Sequence, residues 1–209
     1  MIDPSRYLLF LATAGALVLA PGPGQALVLS RTLAGGRRVG MLTALGLNVG
    51  TLFHAAGAAL GLSALLARSA TAFTAVQLAG AAYLVLLGLR AIGGSSARAA
   101  TTEPRAPAAG LVFLQAVASG VLNPKVALFF LAFLPQFVEA ERGFVFLQFL
   151  LLGATMALLD VLYEAGLIWL ATGLGKCRTI GARVGRWQER ISGFVLVTLG
   201  LRLARQTAH

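Results

Sequence analysis

The sequence predicts an all-α integral membrane protein with six transmembrane helices, arranged as two inverted three-helix repeats. Three observations support this fold class. The 209 residues are 58% hydrophobic and only 11% charged, with a mean hydropathy of +0.84, whereas a soluble domain carries roughly a quarter charged residues. Apolar segments recur from Tyr7 to Leu203, so one cleavable signal segment does not account for them. Short motifs also recur in the two halves.

Six segments have the length and apolar composition of membrane spans. A helix needs about 20 mainly apolar residues to cross a bilayer. Mainly apolar runs bounded by arginines or turn residues predict helices over 7–30, 41–66, 71–89, 109–137, 144–171 and 187–203. The charge-free core of the last, 191–201, has the length of a buried helix in a soluble protein, so its assignment depends on the repeat described below.

The basic residues predict the orientation in the membrane. The first, third and fifth loops carry eleven Lys and Arg residues, whereas the termini and the other two loops carry five. The positive-inside rule therefore places the odd-numbered loops in the cytoplasm and both termini outside. The net charge of +10 does not indicate nucleic acid, because the basic residues lie in short connections between apolar runs. A single cysteine, Cys177, excludes an internal disulfide and a thiolate metal site.

Two matches in the same order indicate an internal repeat. The segment LGLR occurs at 87–90 and again at 199–202, and Pro23 with a following Ala-Leu pair matches Pro124 with its own Ala-Leu pair. Because each half has three spans, the second half enters the membrane from the opposite side. Such inverted repeats are typical of secondary transporters. We therefore predict one domain, 1–209, with repeat 1 at about 1–97, a connecting loop at about 93–108 and repeat 2 at about 109–209.

Proline-containing motifs predict breaks in helices 1 and 4. Proline removes a backbone donor and glycine permits non-helical torsions, so Pro-Gly-Pro and Asn-Pro-Lys divide these spans into half-helices. The N–H groups that start the second half-helix lack partners and favour an anionic group. The alternatives are that the prolines only kink the helices, and that Lys125 snorkels or neutralises a buried acid. The predicted substrate-binding residues are Pro21, Gly22, Pro23, Gly24, Gln25, Asn48, Asn123, Pro124 and Lys125.

Intramembrane titratable residues are the candidates for proton coupling. Asp160 and Glu164 lie four residues apart, so they share one helical face. Charged groups in a membrane segment are costly and are functional candidates by default. The alternatives are a structural pair with Lys125 and, for Glu164, contact with interfacial water. His54 is a third candidate, with a purely structural hydrogen bond as its alternative. Glycines near it, including Gly46, Gly50 and Gly57, are expected to permit close helix packing.

These motifs resemble a known family. The Pro-Gly-Pro segment, the glycine-rich second helix with His54, and Asn123-Pro124-Lys125 leading into FFLAFLPQF at 129–137 are similar to the lysine-exporter (LysE/RhtB) family of bacterial amino-acid exporters. The resemblance implies export of amino acids or close derivatives across the bacterial inner membrane, driven by the proton gradient. Members that export basic amino acids carry an aspartate near the position of Asn48. The resemblance therefore favours a neutral amino acid of the threonine, homoserine or leucine type, unless Asp160 or Glu164 supplies the negative charge.

The leading hypothesis is a proton-coupled secondary exporter in the lipid bilayer, with an amino-acid substrate and with no cofactor, bound metal or nucleic acid. Its substrate carboxylate binds at the helix starts after Pro23 and Pro124. The alternative is a divalent-cation efflux transporter, which requires Asp160, Glu164 and His54 to converge. An intramembrane enzyme is disfavoured because no catalytic motif stands out. A scaffold subunit is disfavoured by the intramembrane charges. The oligomeric state stays open.

Overall fold

The computed structural model describes residues 2–20, 22–93, 109–173, 193–195, 197–198, 200–202 and 204–205. Within these ranges the chain is helical and contains no strand. The helices are α1 (Pro4–Leu19), α2 (Pro23–Arg68), α3 (Ala70–Ile92), α4 (Ala109–Val121), α5 (Pro124–Leu128) and α6 (Val145–Gly173). A π-helical turn (Phe129–Phe133) and a 3-10 turn (Leu134–Phe137) extend α5, and a second 3-10 turn (Ala140–Arg142) precedes α6. The described part of 193–205, called the C-terminal segment below, is helical.

Local chemistry sets the helix ends. Proline occupies the start of α1, α2 and α5, where its missing N–H costs no helical hydrogen bond. Asn123 caps α5 by accepting a hydrogen bond from the backbone nitrogen of Lys125 at 3.1 Å. Asp3 caps α1 in the same way through the nitrogen of Ser5, at 2.8 Å. One helix therefore ends at Leu19 and the next begins at Pro23, and α4 ends at Val121 before α5 begins at Pro124.

The predicted connection between the first two spans contains the kink in α2. Residues on both sides of Gly36 are helical, whereas Gly36 has non-helical torsions, φ 77° and ψ −174°, and joins two helices at the kink. Gly143, just before α6, has nearly the same torsions, φ 71° and ψ −172°. Side chains disfavour this region, so glycine is required at both bends. No proline lies between Pro23 and Gly36, so nothing stops the helix before the glycine.

Helix packing centres on α2 and α6, with α1 and the extension of α5 against them. The main core contains Phe10, Phe129, Phe130, Phe149 and Leu152, all at most 2% exposed. The predicted close approach of the glycine-rich helix occurs against α4. A Cβ on Gly50 would lie 2.6 Å from the carbonyl carbon of Gly120, which is shorter than any ordinary contact. Small residues therefore let the backbones of α2 and α4 touch.

Two described helices are long and apolar enough to cross a membrane, Pro23–Gly61 and Val145–Gly173. A third candidate is the pair Ala109–Val121 and Pro124–Phe137, whose axes bend by 43° at the break. Shorter apolar helices are Pro4–Leu19, Leu78–Arg90 and Gly193–Arg202. Length and composition thus support two or three spans in the described ranges, against six predicted. The helix end at Leu19 cuts the first predicted span short, and residues 187–192 of the sixth lie outside the described residues.

Candidate functional site

A cavity of about 40 Å³ lies where the end of α1, the start of α2, the α4–α5 break and α6 meet. By the usual measure of one water per 10 to 15 Å³, this holds roughly three waters. The wall combines apolar side chains, such as Leu17, Leu47 and Met156, with several charged and polar side chains. The polar side chains that line it are Gln25, Thr51, Asn123, Lys125, Asp160 and Glu164.

Lys125 binds the end of α1. Its Nζ donates hydrogen bonds to the carbonyl oxygens of Leu17, at 3.0 Å, and Ala20, at 2.5 Å. The last carbonyls of a helix lack intrahelical N–H partners and carry partial negative charge, so an ammonium group stabilises them. Gln25 acts in the same way, because its Nε2 donates to the oxygen of Val18 at 2.5 Å. Lys125 and Gln25 were predicted to bind substrate. In this structure they donate hydrogen bonds to carbonyl groups at the C-terminal end of α1.

The acidic side of the cavity is formed by α6 and the middle of α2. Glu164 is only 2% exposed, and its Oε2 accepts a hydrogen bond from Asn48 Nδ2 at 3.1 Å. The same amide nitrogen donates to Ala44 O at 3.0 Å. Asn48 is 4% exposed, and its Oδ1 is buried without a hydrogen-bond partner. Asp160 lines the cavity one helical turn before Glu164.

The acids and Lys125 share the cavity without forming a contact ion pair. Among the residues that the structure describes, no Lys, Arg or His nitrogen lies within 4.0 Å of the carboxylate of Asp160 or Glu164. The alternative of a structural salt bridge between Lys125 and one of the acids is therefore not observed. Instead, the ammonium group donates hydrogen bonds to backbone carbonyls at the end of α1. The cavity contains two carboxyl groups and one ammonium group in a largely apolar wall.

His54 does not join this group. Its Nε2 lies 3.3 Å from Gly120 O, and its ring stacks on Phe130 with the centroids 6.3 Å apart. Gly120 itself lines the cavity, so His54 lies behind the wall. No cluster of three or more His, Cys, Asp or Glu residues that could hold a metal occurs in the described part of the chain. The convergence required by the divalent-cation alternative is thus not observed there.

The remaining predicted binding residues divide into two groups. Gly22, Gly24 and Asn123 line the cavity. Pro23 and Pro124 are exposed and start the adjoining helices without lining it. Pro21 lies outside the described residues.

Several lining residues were not predicted from the sequence, Thr51 and Met156 among them. Thr51 lies three residues after Asn48, and Met156 four before Asp160, so helical spacing from the polar candidates would have identified both.

A second polar cluster ties the start of α1 to the segment before α6. Arg6 pairs with Glu139 at 3.3 Å, while Arg142 pairs with Glu139 and, at 3.4 Å, with Asp3. The side chain of buried Gln148 accepts from Glu139 N at 2.8 Å and donates to Glu139 O at 3.0 Å. Hydrogen bonds from the side chain and backbone of Ser5 lower the pKa of Asp3. No local sequence pattern predicts this contact, because the residues that it joins across the two segments are more than 130 positions apart.

Replacing Lys125 with methionine is expected to destabilise the protein. The alkyl stem stays, but the carbonyls of Leu17 and Ala20 lose their charged donor, which costs about 1 to 3 kcal/mol for a buried polar group. Denaturant titration of the purified protein in detergent measures the free energy of unfolding. Arg38→Met, which removes an exposed cation, is the matched control. Equal stability of the two variants would contradict the assigned contact.

Comparison with known proteins places these features in a family. The model for the LysE type translocator family matches residues 15–207. An uncharacterized membrane protein of Vibrio cholerae is 35% identical over 84% of this chain and 85% of its own length. Another, YrhP of Bacillus subtilis, is 29% identical over 93% and 96%. The homoserine/homoserine lactone efflux protein of Salmonella typhimurium is 30% identical over 78% of each chain.

No solved structure matches the chain. The family match nevertheless spans almost the whole sequence, and it includes both proline-containing helix starts and the acidic pair on α6. The chain is therefore a membrane protein that belongs to the LysE type translocator family.

Proposed function

We propose that this protein is a secondary-active exporter of neutral amino acids or close derivatives, driven by the proton gradient across the bacterial inner membrane. The observation that carries the proposal is the cavity, which brings together Lys125, Asp160 and Glu164 with the starts of α2 and α5. Membership of a translocator family supports transport, and a relative named for homoserine and homoserine lactone efflux supports an amino-acid cargo. Transport does not require a catalytic centre, so we propose no enzymatic activity for this protein.

The starts of α2 and α5 are the proposed site for the substrate carboxylate. Gly22 and Gly24 line the cavity at the first start, and Asn123 and Lys125 line it at the second. The first N–H groups of a helix lack intrahelical acceptors and carry partial positive charge, which favours an anion. Gln25 contributes its amide beside them. Because the cavity holds only about three waters, substrate binding requires the surrounding helices to separate.

The acids on α6 are the proposed proton-coupling groups. Asp160 and Glu164 share an apolar cavity with one ammonium group, so full ionisation leaves an uncompensated negative charge. Uptake of a proton removes that charge, and desolvation makes such a charge costly. His54 touches the wall at Gly120, which makes it a candidate for the path by which protons reach the acids. The neutral amide of Asn48 beside Glu164 favours a neutral substrate over a basic one.

Packing between α3 and the C-terminal segment supports the inverted repeat. A Cβ on Gly88 would lie 2.5 Å from Gly193 O, and a Cβ on Gly200 would lie 2.7 Å from Ala81 O. Each glycine also meets the backbone nitrogen of a valine one turn further along the partner helix. Such reciprocal contacts are typical of two-fold symmetry. The equivalent residues are all 112 positions apart, namely Ala81 and Gly193, Val85 and Val197, and Gly88 and Gly200.

Efflux from cells loaded with a mixture of labelled amino acids tests the proposed function. Cells that produce the protein are expected to lose one class of neutral amino acid faster than empty-vector cells, and a protonophore is expected to remove the difference. Equal loss of every amino acid, with the protein present in the membrane, would refute amino-acid export. Faster loss that resists the protonophore would refute proton coupling alone.

A further inference from the structure

The acidic side of the cavity contains more acceptors than the protein satisfies. Glu164 receives one hydrogen bond, from Asn48, and Asp160 lines the same cavity one turn away. Asn48 Oδ1 is buried and has no partner, although the nitrogen of the same amide touches Glu164. A buried acceptor without a donor costs about 1 to 3 kcal/mol. Asn48 itself does not line the cavity, so the acceptors that a bound ligand would reach directly are the carboxylate oxygens of Asp160 and Glu164.

The charges around this point favour a cationic donor. Lys125 faces the pair from α5, but its ammonium group donates to the carbonyls that end α1. In the middle of α2, the neutral side chain of Thr51 lines the cavity and that of Asn48 contacts Glu164. The end of α1 presents backbone carbonyl oxygens. His54 lies behind the wall, on Gly120. One carboxylate in the cavity therefore lacks a counter-charge when both acids are ionised.

An ammonium group matches this arrangement in charge and in donor number. It carries one positive charge and three N–H donors, and the site offers the carboxylate oxygens of Asp160 and Glu164. We propose that these two carboxylates bind the protonated amino group of the exported substrate, and that a proton competes with this amino group for the Asp160–Glu164 pair. The inference rests on the proposed function, since it specifies which part of an amino acid the acids recognise.

The competition gives export its direction. Deprotonated acids on the cytoplasmic side bind the amino group of the substrate. Protonation from the more acidic outer side removes the negative charge, and the hydroxyl group of a protonated acid becomes the donor to the free acceptors, so the amino group is released. Apparent affinity for substrate therefore falls as the pH falls through the titration range of the pair. For one competing proton the fall approaches about tenfold per pH unit.

Exchange measurements in proteoliposomes test this inference. Vesicles are loaded with unlabelled L-threonine, L-homoserine or L-leucine, and uptake of the labelled amino acid is followed at equal pH on both sides. The competitors are the methyl ester of each amino acid, which keeps the amino group, and its N-acetyl derivative, which keeps the carboxylate. We expect the ester to compete and the N-acetyl compound to be at least tenfold weaker. We also expect the half-saturation concentration to rise as the pH is lowered.

Variants assign the effect to the pair. Glu164→Gln is expected to weaken exchange and flatten its pH dependence, whereas Glu141→Gln, which alters an exposed carboxyl group, is expected to behave as wild type. Two results would overturn the inference and leave the proposed function standing. One is inhibition of wild-type exchange by N-acetyl compounds as strong as that by the esters, and the other is wild-type exchange that does not vary with pH. Absence of exchange for every amino acid would overturn both. The competitor series needs only the wild-type protein, so a folding defect in a variant does not affect it.

Discussion

Replacing Asp160 with asparagine is expected to reduce protonophore-sensitive efflux to the level of empty-vector cells. The amide has nearly the same shape as the carboxyl group, so the cavity wall formed by α6 keeps its packing. It cannot bind and release a proton, and it leaves Lys125 facing a single acid. Proton uptake then no longer alternates with substrate binding. Efflux of the amino acid identified in loaded cells is the measurement.

Two controls separate this effect from misfolding. The variant is expected to reach the membrane in wild-type amounts and to elute as wild type in size-exclusion chromatography. Glu141→Gln, on the 3-10 turn Ala140–Arg142, removes an exposed carboxyl group outside the cavity and is expected to keep full efflux. Undiminished efflux by Asp160→Asn would defeat its assignment as a coupling residue.

Replacing Gly50 with alanine is expected to destabilise the protein. The new Cβ would lie 2.6 to 2.7 Å from the backbone of Gly120 and Val121, and backbone atoms in a packed helix cannot move aside cheaply. Overpacking of this kind costs about 1 to 3 kcal/mol, which outweighs the roughly 1 kcal/mol that alanine gains over glycine in a helix. Separation of α2 from α4 would also disturb the cavity, since Gly120 lines it.

Gly57→Ala is the matched control in the same helix. No neighbouring atom lies within 4 Å of a Cβ built on Gly57, so only the gain in helix propensity remains. Thermal unfolding in detergent is expected to show a lower midpoint for Gly50→Ala and an unchanged or higher midpoint for Gly57→Ala. Equal midpoints for both variants would show that the contact between α2 and α4 does not limit stability.

Features of the fold that depend on neighbouring residues could be predicted from the sequence. Proline and asparagine chemistry predicted helix starts at Pro23 and Pro124, and α2 and α5 begin at these residues. The density of glycine in α2 predicted close packing, and Gly46 and Gly50 lie against α4. Two predictions remain proposals. One is that each pair of half-helices forms a single broken membrane span, and the other is the six-helix inverted repeat.

Partners that lie far apart in the sequence could not be predicted. Lys125 was expected to bind substrate, to snorkel or to neutralise an acid, yet it binds carbonyls of α1 more than 100 residues away. His54 was expected to act with the acids, yet its ring stacks on Phe130 behind the cavity wall. The cluster of Asp3, Arg6, Glu139 and Arg142 gave no local pattern at all.

By itself, the sequence determined that this is an apolar, helical chain with helices that start at particular prolines and with few buried charges. These properties depend on composition and on hydrogen bonds within one turn, so short stretches of sequence are enough to predict them. The tertiary structure decided which charges share the cavity and which atom each one binds. That choice depends on how distant helices pack, because a buried ammonium or carboxyl group takes whichever partner the packing brings within hydrogen-bonding distance.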